Sequence, residues 1–159
     1  MSLARDVLDA LRQRGWRIAT AESCTGGMIA AALTDIAGSS DVVDRGFVTY
    51  SNSAKSELLG VDPALIAAHG AVSREVAEAM AAGALARSDA EIAIAVTGIA
   101  GPGGGSPAKP VGLVWFGLAI RGEAPSSEHQ IFSGDRAAIR AAATRHALAL
   151  VLQKAGGAR

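Results

Sequence analysis

The sequence predicts an α/β fold, a three-layer α/β/α sandwich built on a mixed sheet. Two patterns predict it. Segments with apolar residues at helical spacing alternate with short runs rich in strand formers, as in βα units. The last two strand-like runs instead follow one another with only a turn between them, which makes that pair antiparallel and the sheet mixed. No internal repeat and no long linker divides the 159 residues, so 1–159 reads as one domain.

Leu3, Val7 and Leu11 recur at helical spacing, and Gly15 follows as a stop. "WRIATA" is then a short strand. Ile29, Leu33 and Ile36 mark a second helix ended by Gly38. "GFVTYS", Gly46 to Ser51, is rich in strand formers. "NSAKSELLG" reads as a short helix stopped by Gly60, and "DPALIAAHG" as another, with Pro63 suited to a first turn. Ser73 is an N-cap for "REVAEAMAAGALARS", with Glu75 in the first turn and Arg87 in the last, as the helix dipole favours. "EIAIAVTG" is a buried strand, and "IAGPGGGSPAKP" is a Gly/Pro-rich loop. "VGLVWFGLAIRG" and "SEHQIF" are two strands joined by a turn. Ser133 then caps a final helix running to about Leu152, before a loose "KAGGAR" tail.

Composition narrows the function classes. Half of the residues are hydrophobic but only 4% are aromatic, so the core must be built from Ala, Val, Ile and Leu. Lys+Arg and Asp+Glu both number 15, giving zero formal charge. A neutral chain without a basic stripe argues against nucleic-acid or membrane-surface binding. The single Cys rules out an intrachain disulfide, which fits a reducing cytoplasm. No apolar run reaches the length of a bilayer span, and the N-terminus has no signal-peptide core. The expectation is a soluble cytoplasmic protein.

Three segments leave strand ends and enter helices or Gly-rich turns: Ser23 to Gly27, Tyr50 to Lys55 and Thr97 to Gly105. In open α/β sheets ligands bind at the carboxyl ends of strands, so these loops meet at one crevice if their strands are parallel neighbours. Ser23 before a helix is either a nucleophile beside unpaired N–H groups or an ordinary cap. Cys24 is intrinsically the better nucleophile, but free Cys is also a common buried apolar residue. His69, His129 and His146 lie in different elements, without metal-ligand spacing or a triad partner. Lys55 falls in the first turn of its helix, where a cation opposes the dipole at a cost of about 0.3–1 kcal/mol. That environment disfavours the ammonium form and suits a base; a solvated surface lysine is the alternative. Tyr50 is a hydrogen-bond partner or a wall of the cleft. "TGIAGPGGG" can cradle an anion through its backbone N–H groups, though its spacing matches neither the Walker nor the dinucleotide pattern. Arg136, another cation at a helix start, is explained by an anionic ligand or by a salt bridge to Asp135 or Glu128.

The blocks "AESCTGG", "GFVTYSNSAK", "GVD…L…HGAVS", "VTGIAGPGGG", "KPVGLVWFGLA" and "FSGDR", in that order from about Thr20 to Arg140, resemble the CinA C-terminal-domain family. The resemblance implies a three-layer sandwich with a mixed, mostly parallel five-stranded sheet. It implies amide hydrolysis on nicotinamide mononucleotide, the activity of characterised members, by a Ser/Lys pair with no metal or cofactor. Ser23 matches the nucleophile and Lys55 the general base, while Tyr50 and Arg136 match active-site positions. Backbone N–H groups of Cys24, Thr25 and Gly26 are the expected oxyanion donors. The loop with Thr97, Gly98, Gly101 and Gly103, together with Arg136, is expected to bind the rest of the substrate. Members tend to form homo-oligomers. The competing functions are a nucleotide-binding module without turnover and an interaction protein linked to competence or DNA damage.

Overall fold

The computed structural model describes residues 2–156. Helix α1 (Leu3–Arg14) leads to β1 (Ile18–Glu22), α2 (Met28–Thr34), β2 (Val43–Val48), α3 (Asn52–Leu59), α4 (Pro63–His69) and α5 (Arg74–Ala86). The chain continues through β3 (Ile92–Gly98), β4 (Leu113–Ile120), β5 (Ser126–Ile131) and α6 (Arg136–Lys154). The strands form one five-stranded sheet in the order β2-β1-β3-β4-β5. β1 runs parallel to both β2 and β3, whereas β4 pairs antiparallel with β3 and with β5. The expected mixed sheet is present.

Strand alternation sorts the two faces by size. Ile92, Ile94 and Val96 of β3 join Val114 and Phe116 of β4 in a core with Val7 and Leu11 of α1, Ile29 and Leu33 of α2, and Ile139 and Val151 of α6. Ala93 and Ala95 point the other way, into a cluster with Ala19 and Ala21 of β1 and Val76 and Met80 of α5. The small residues let α5 lie close to the sheet. At Gly117 even a Cβ would run into the Ala77 carbonyl oxygen. Few aromatics are therefore needed: aliphatic packing on one face and close backbone approach on the other build the core. No helix among the described residues is long and apolar enough to cross a membrane.

Several boundaries differ from the sequence reading. β2 lies at Val43–Val48, three residues upstream of the expected run. β1 ends at Glu22, so the ladder closes with the Glu22/Val48 pair and the Thr49 N–H bond to Glu22 O, and Tyr50 has no partner strand. The final helix is capped by Asp135, whose side chain accepts from Ala138 N–H, and not by Ser133. Gly134, at φ 110°, takes the chain through the left-handed region between them, which keeps Ser133 out of the helix start. α2 stops at Thr34, short of Ile36 and Gly38, and a 3-10 turn follows at Ser39–Asp41. Arg87 is the residue capping α5 and lies beyond its last turn. Of the expected loose tail, Lys154 is helical and Ala155 is buried, its carbonyl accepting from Arg14 Nε at 2.7 Å. Residues 157–159 of that tail lie outside the described residues.

Candidate active site

β2, β1 and β3 are parallel neighbours, so the loops that follow them open at one sheet edge. Their residues line a crevice of about 290 Å³. Ser23 and Cys24 come from the turn after β1, and Tyr50 and Lys55 from the segment after β2. Thr97, Gly98, Gly101 and Gly103 come from the end of β3 and its loop. Arg136 enters from the start of α6. Asn52, Ala71 and Val72 also line it, and sequence reasoning did not single them out.

The crevice floor holds a buried pair. Lys55 is 1% exposed, and its Nζ lies 3.0 Å from Ser23 Oγ. Nζ also donates to Thr49 O at 2.8 Å. Ser51 places Lys55 by capping α3 through Ala54 N–H. Burial pushes the Lys55 pKa down from its ordinary 10.5, against a weaker opposing pull from Cys24. Arg136 has no part in that shift: its guanidinium is engaged by Gly101 O at 2.8 Å and Tyr50 Oη at 2.7 Å. Neither of the salt bridges considered for Arg136 forms. Asp135 caps α6, and Glu128 lies 2.7 Å from His146 Nε2. Tyr50 is 61% exposed, so it stands at the crevice mouth as a partner of Arg136.

The turn carrying Ser23 is fixed at both backbone ends. Ser23 N–H donates to Val96 O at 2.9 Å, and Ser23 O accepts from Gly26 N–H at 3.0 Å. Gly26 and Gly27 follow at φ 57° and 105°, conformations that a side chain would strain. Gly27 is the N-cap residue of α2, so Ser23 is not. The capping comes from Glu22, which sequence reasoning passed over. This fully buried carboxylate accepts from Thr25 Oγ1, Ile29 N–H and Ala30 N–H at 2.7, 2.9 and 3.0 Å. A charged residue ending a strand otherwise free of charge was the available signal. Two of the expected oxyanion donors are unsuited to that role. Gly26 N–H is spent inside the turn, and Thr25 is fully buried and does not line the crevice. Cys24 N–H and the Gly-rich loop remain. Thr97 lines the crevice, but its Oγ1 donates to Ala71 O.

Cys24 shares the turn with Ser23 but carries a free, buried thiol. Burial raises its pKa to about 11, so it stays a thiol near neutrality. Iodoacetamide at pH 8 should leave Cys24 of the native protein unmodified and label it in denaturant, read by intact mass. Rapid native labelling would make Cys24 a competing nucleophile.

Two wider grooves lie elsewhere, of about 470 Å³ beside Trp115 and His129 and about 490 Å³ between α3 and α4. The serine of the first, Ser73, is spent capping α5 and donating to Gly70 O. Of these three, only the crevice brings a serine hydroxyl within hydrogen-bond distance of a buried lysine amine.

Residues 1–155 match the family model for the CinA C-terminal domain. This chain belongs to the CinA C-terminal domain family. Relatives of that family include nicotinamide-nucleotide amidohydrolase PncC of Escherichia coli K12, 52% identical over 155 residues, which cover 97% of this chain and 93% of that protein. The protein of the same name from Enterobacter agglomerans is 51% identical over 152 residues, covering 96% and 93%. Among solved structures, the competence/damage inducible protein CihA from Agrobacterium tumefaciens superposes with a TM-score of 0.92 at 51% identity, covering 95% of this chain and 92% of that one.

Proposed function

We propose that this protein hydrolyses the carboxamide of nicotinamide mononucleotide to nicotinate mononucleotide and ammonia, through an acyl-enzyme on Ser23. The observation that carries the reading is the 3.0 Å approach of Lys55 Nζ to Ser23 Oγ inside the crevice. Full-length relatives named for this activity supply the substrate.

The chemistry follows from the neighbours of each group. Thr49 O engages one N–H of Lys55, and the neutral amine keeps a lone pair that can accept from the Ser23 hydroxyl. Lys55 takes the Ser23 proton, and Oγ attacks the amide carbon. Cys24 N–H and the loop amides face the developing oxyanion. Lys55 then protonates the departing ammonia, and water cleaves the ester with Lys55 again as base. The Gly-rich loop and Arg136 bind the phosphate at the mouth, and that remote binding positions the amide.

Nicotinamide riboside, which lacks the phosphate, should therefore be a poor substrate. Arg136→Ala should lower kcat/KM for the mononucleotide about 10- to 100-fold, the range for a lost charge-assisted hydrogen bond. The riboside should be almost unaffected by the change. Ammonia release from both substrates measures this, and an equal loss on the two would move Arg136 from the phosphate to the reacting amide.

A further inference from the structure

We propose that Arg140 is a positioning residue for Ser23, holding the carbonyls of the nucleophile turn. The inference rests on the reading of Ser23 as nucleophile. Arg140 reaches from α6 to two successive carbonyls of the turn, with Nε 3.0 Å from Cys24 O and Nη2 3.4 Å from Thr25 O. Both residues are buried, so water has little access to their carbonyls; Thr25 O also accepts from Met28 N–H at 3.0 Å, which leaves Cys24 O the carbonyl that depends most on Arg140. Glu22 gathers donors from the same segment: the Thr25 hydroxyl and the first free N–H groups of α2. The turn is thus held by a cation on its carbonyl side and a carboxylate on its donor side.

Gly26 shows how closely the guanidinium sits. A Cβ there would come within 3.2 Å of Arg140 Nη2. The bond from Gly26 N–H to Ser23 O belongs to the same peptide unit as the Thr25 carbonyl that Arg140 engages. Orienting that plane therefore orients the bond that holds Ser23. Arg136 lies one helical turn earlier on α6 and bonds the Gly-rich loop and Tyr50. The two arginines, four residues apart, share a helix face. Docking of α6 thereby sets the crevice mouth and the nucleophile turn together.

The test uses Arg140→Met, which keeps length and apolar stem but loses every N–H, and Arg140→Lys, which can serve one carbonyl. A misaligned nucleophile costs on the order of 10²-fold in rate. Arg140→Met should lose about that in kcat on nicotinamide mononucleotide, with KM within about twofold. The lysine variant should recover part of it. Labelling of Ser23 by a small sulfonyl fluoride, followed by mass spectrometry, should slow in the same order, because it reports the nucleophile without the substrate. The rise of kcat/KM with pH expected of a Lys55 base should keep its midpoint, since Lys55 is untouched. A folded Arg140→Met enzyme with kcat within threefold of the parent overturns the proposal, as does a rise in KM alone. If the methionine variant fails to fold, the lysine variant decides: parental kcat and labelling rate refute the proposal, and a partial loss of both supports it. A parent enzyme that turns over while Ser23 resists labelling and Ser23→Ala stays active would remove the nucleophile assignment itself.

Discussion

Ser23→Ala is expected to abolish ammonia release from nicotinamide mononucleotide while the protein stays folded. Removing the nucleophile of a Ser-dependent hydrolase costs about 10⁶-fold in kcat. The fold should tolerate the change. Ser23 caps no helix, and its hydroxyl meets Lys55, which keeps its bond to Thr49 O. The loss of one hydrogen bond amounts to ~1 kcal/mol, or roughly 2–4 °C in Tm for a chain of this size. Cys24→Ala should keep most of the activity, because its buried thiol lies far from ionisation near neutrality. If Cys24→Ala is inactive and Ser23→Ala is not, the nucleophile is misassigned.

Lys55→Arg is expected to lose catalysis nearly as fully as Lys55→Ala, by about 10²–10⁴-fold, the share of a general base. Arginine keeps the positive charge but cannot deprotonate. A lysine that only bound phosphate would be replaced by arginine with modest loss, since guanidinium pairs well with phosphate. Melting curves for both variants show whether the larger group is accommodated at this buried position. The parent has a further signature. Burial holds the Lys55 pKa below 10.5, and the base works only when neutral. kcat/KM should therefore rise with pH through that lowered pKa, on a limb absent from both variants. Linkage gives stability the same sign. Between the lowered folded pKa and the ordinary unfolded one, the unfolded chain binds the extra proton, so stability also rises with pH. Substantial turnover by Lys55→Arg, with the limb intact, would leave Ser23 without a base.

What was legible in the sequence was local. Helical spacing, Gly stops and the Ser73 cap are short-range signals, and they placed Ser23, Lys55 and the Gly-rich loop at element ends. Cap position at α6 depends on backbone conformation at Gly134, so Ser133 and Asp135 look alike until the chain is traced. The extent of β2 depends on where its partner β1 stops, which is tertiary information. The groups that brace the site were the hardest to see. Glu22 is marked in the sequence only as a charge closing a strand, and its burial and three donors appear only in the fold. Arg140 lies 116 positions from the Cys24 carbonyl it engages. Thr25 and Gly26 sit close to Ser23 in sequence, yet one is fully buried and the other spends its N–H within the turn.

Carboxamide cleavage in this crevice is tested most directly by following both products of nicotinamide mononucleotide on the purified chain, ammonia by coupled assay and the nucleotide by chromatography, beside Ser23→Ala as blank. Equimolar ammonia and nicotinate mononucleotide are expected from the parent and neither from the variant. Release of nicotinamide in place of ammonia, or recovery of bound but intact nucleotide, would contradict it.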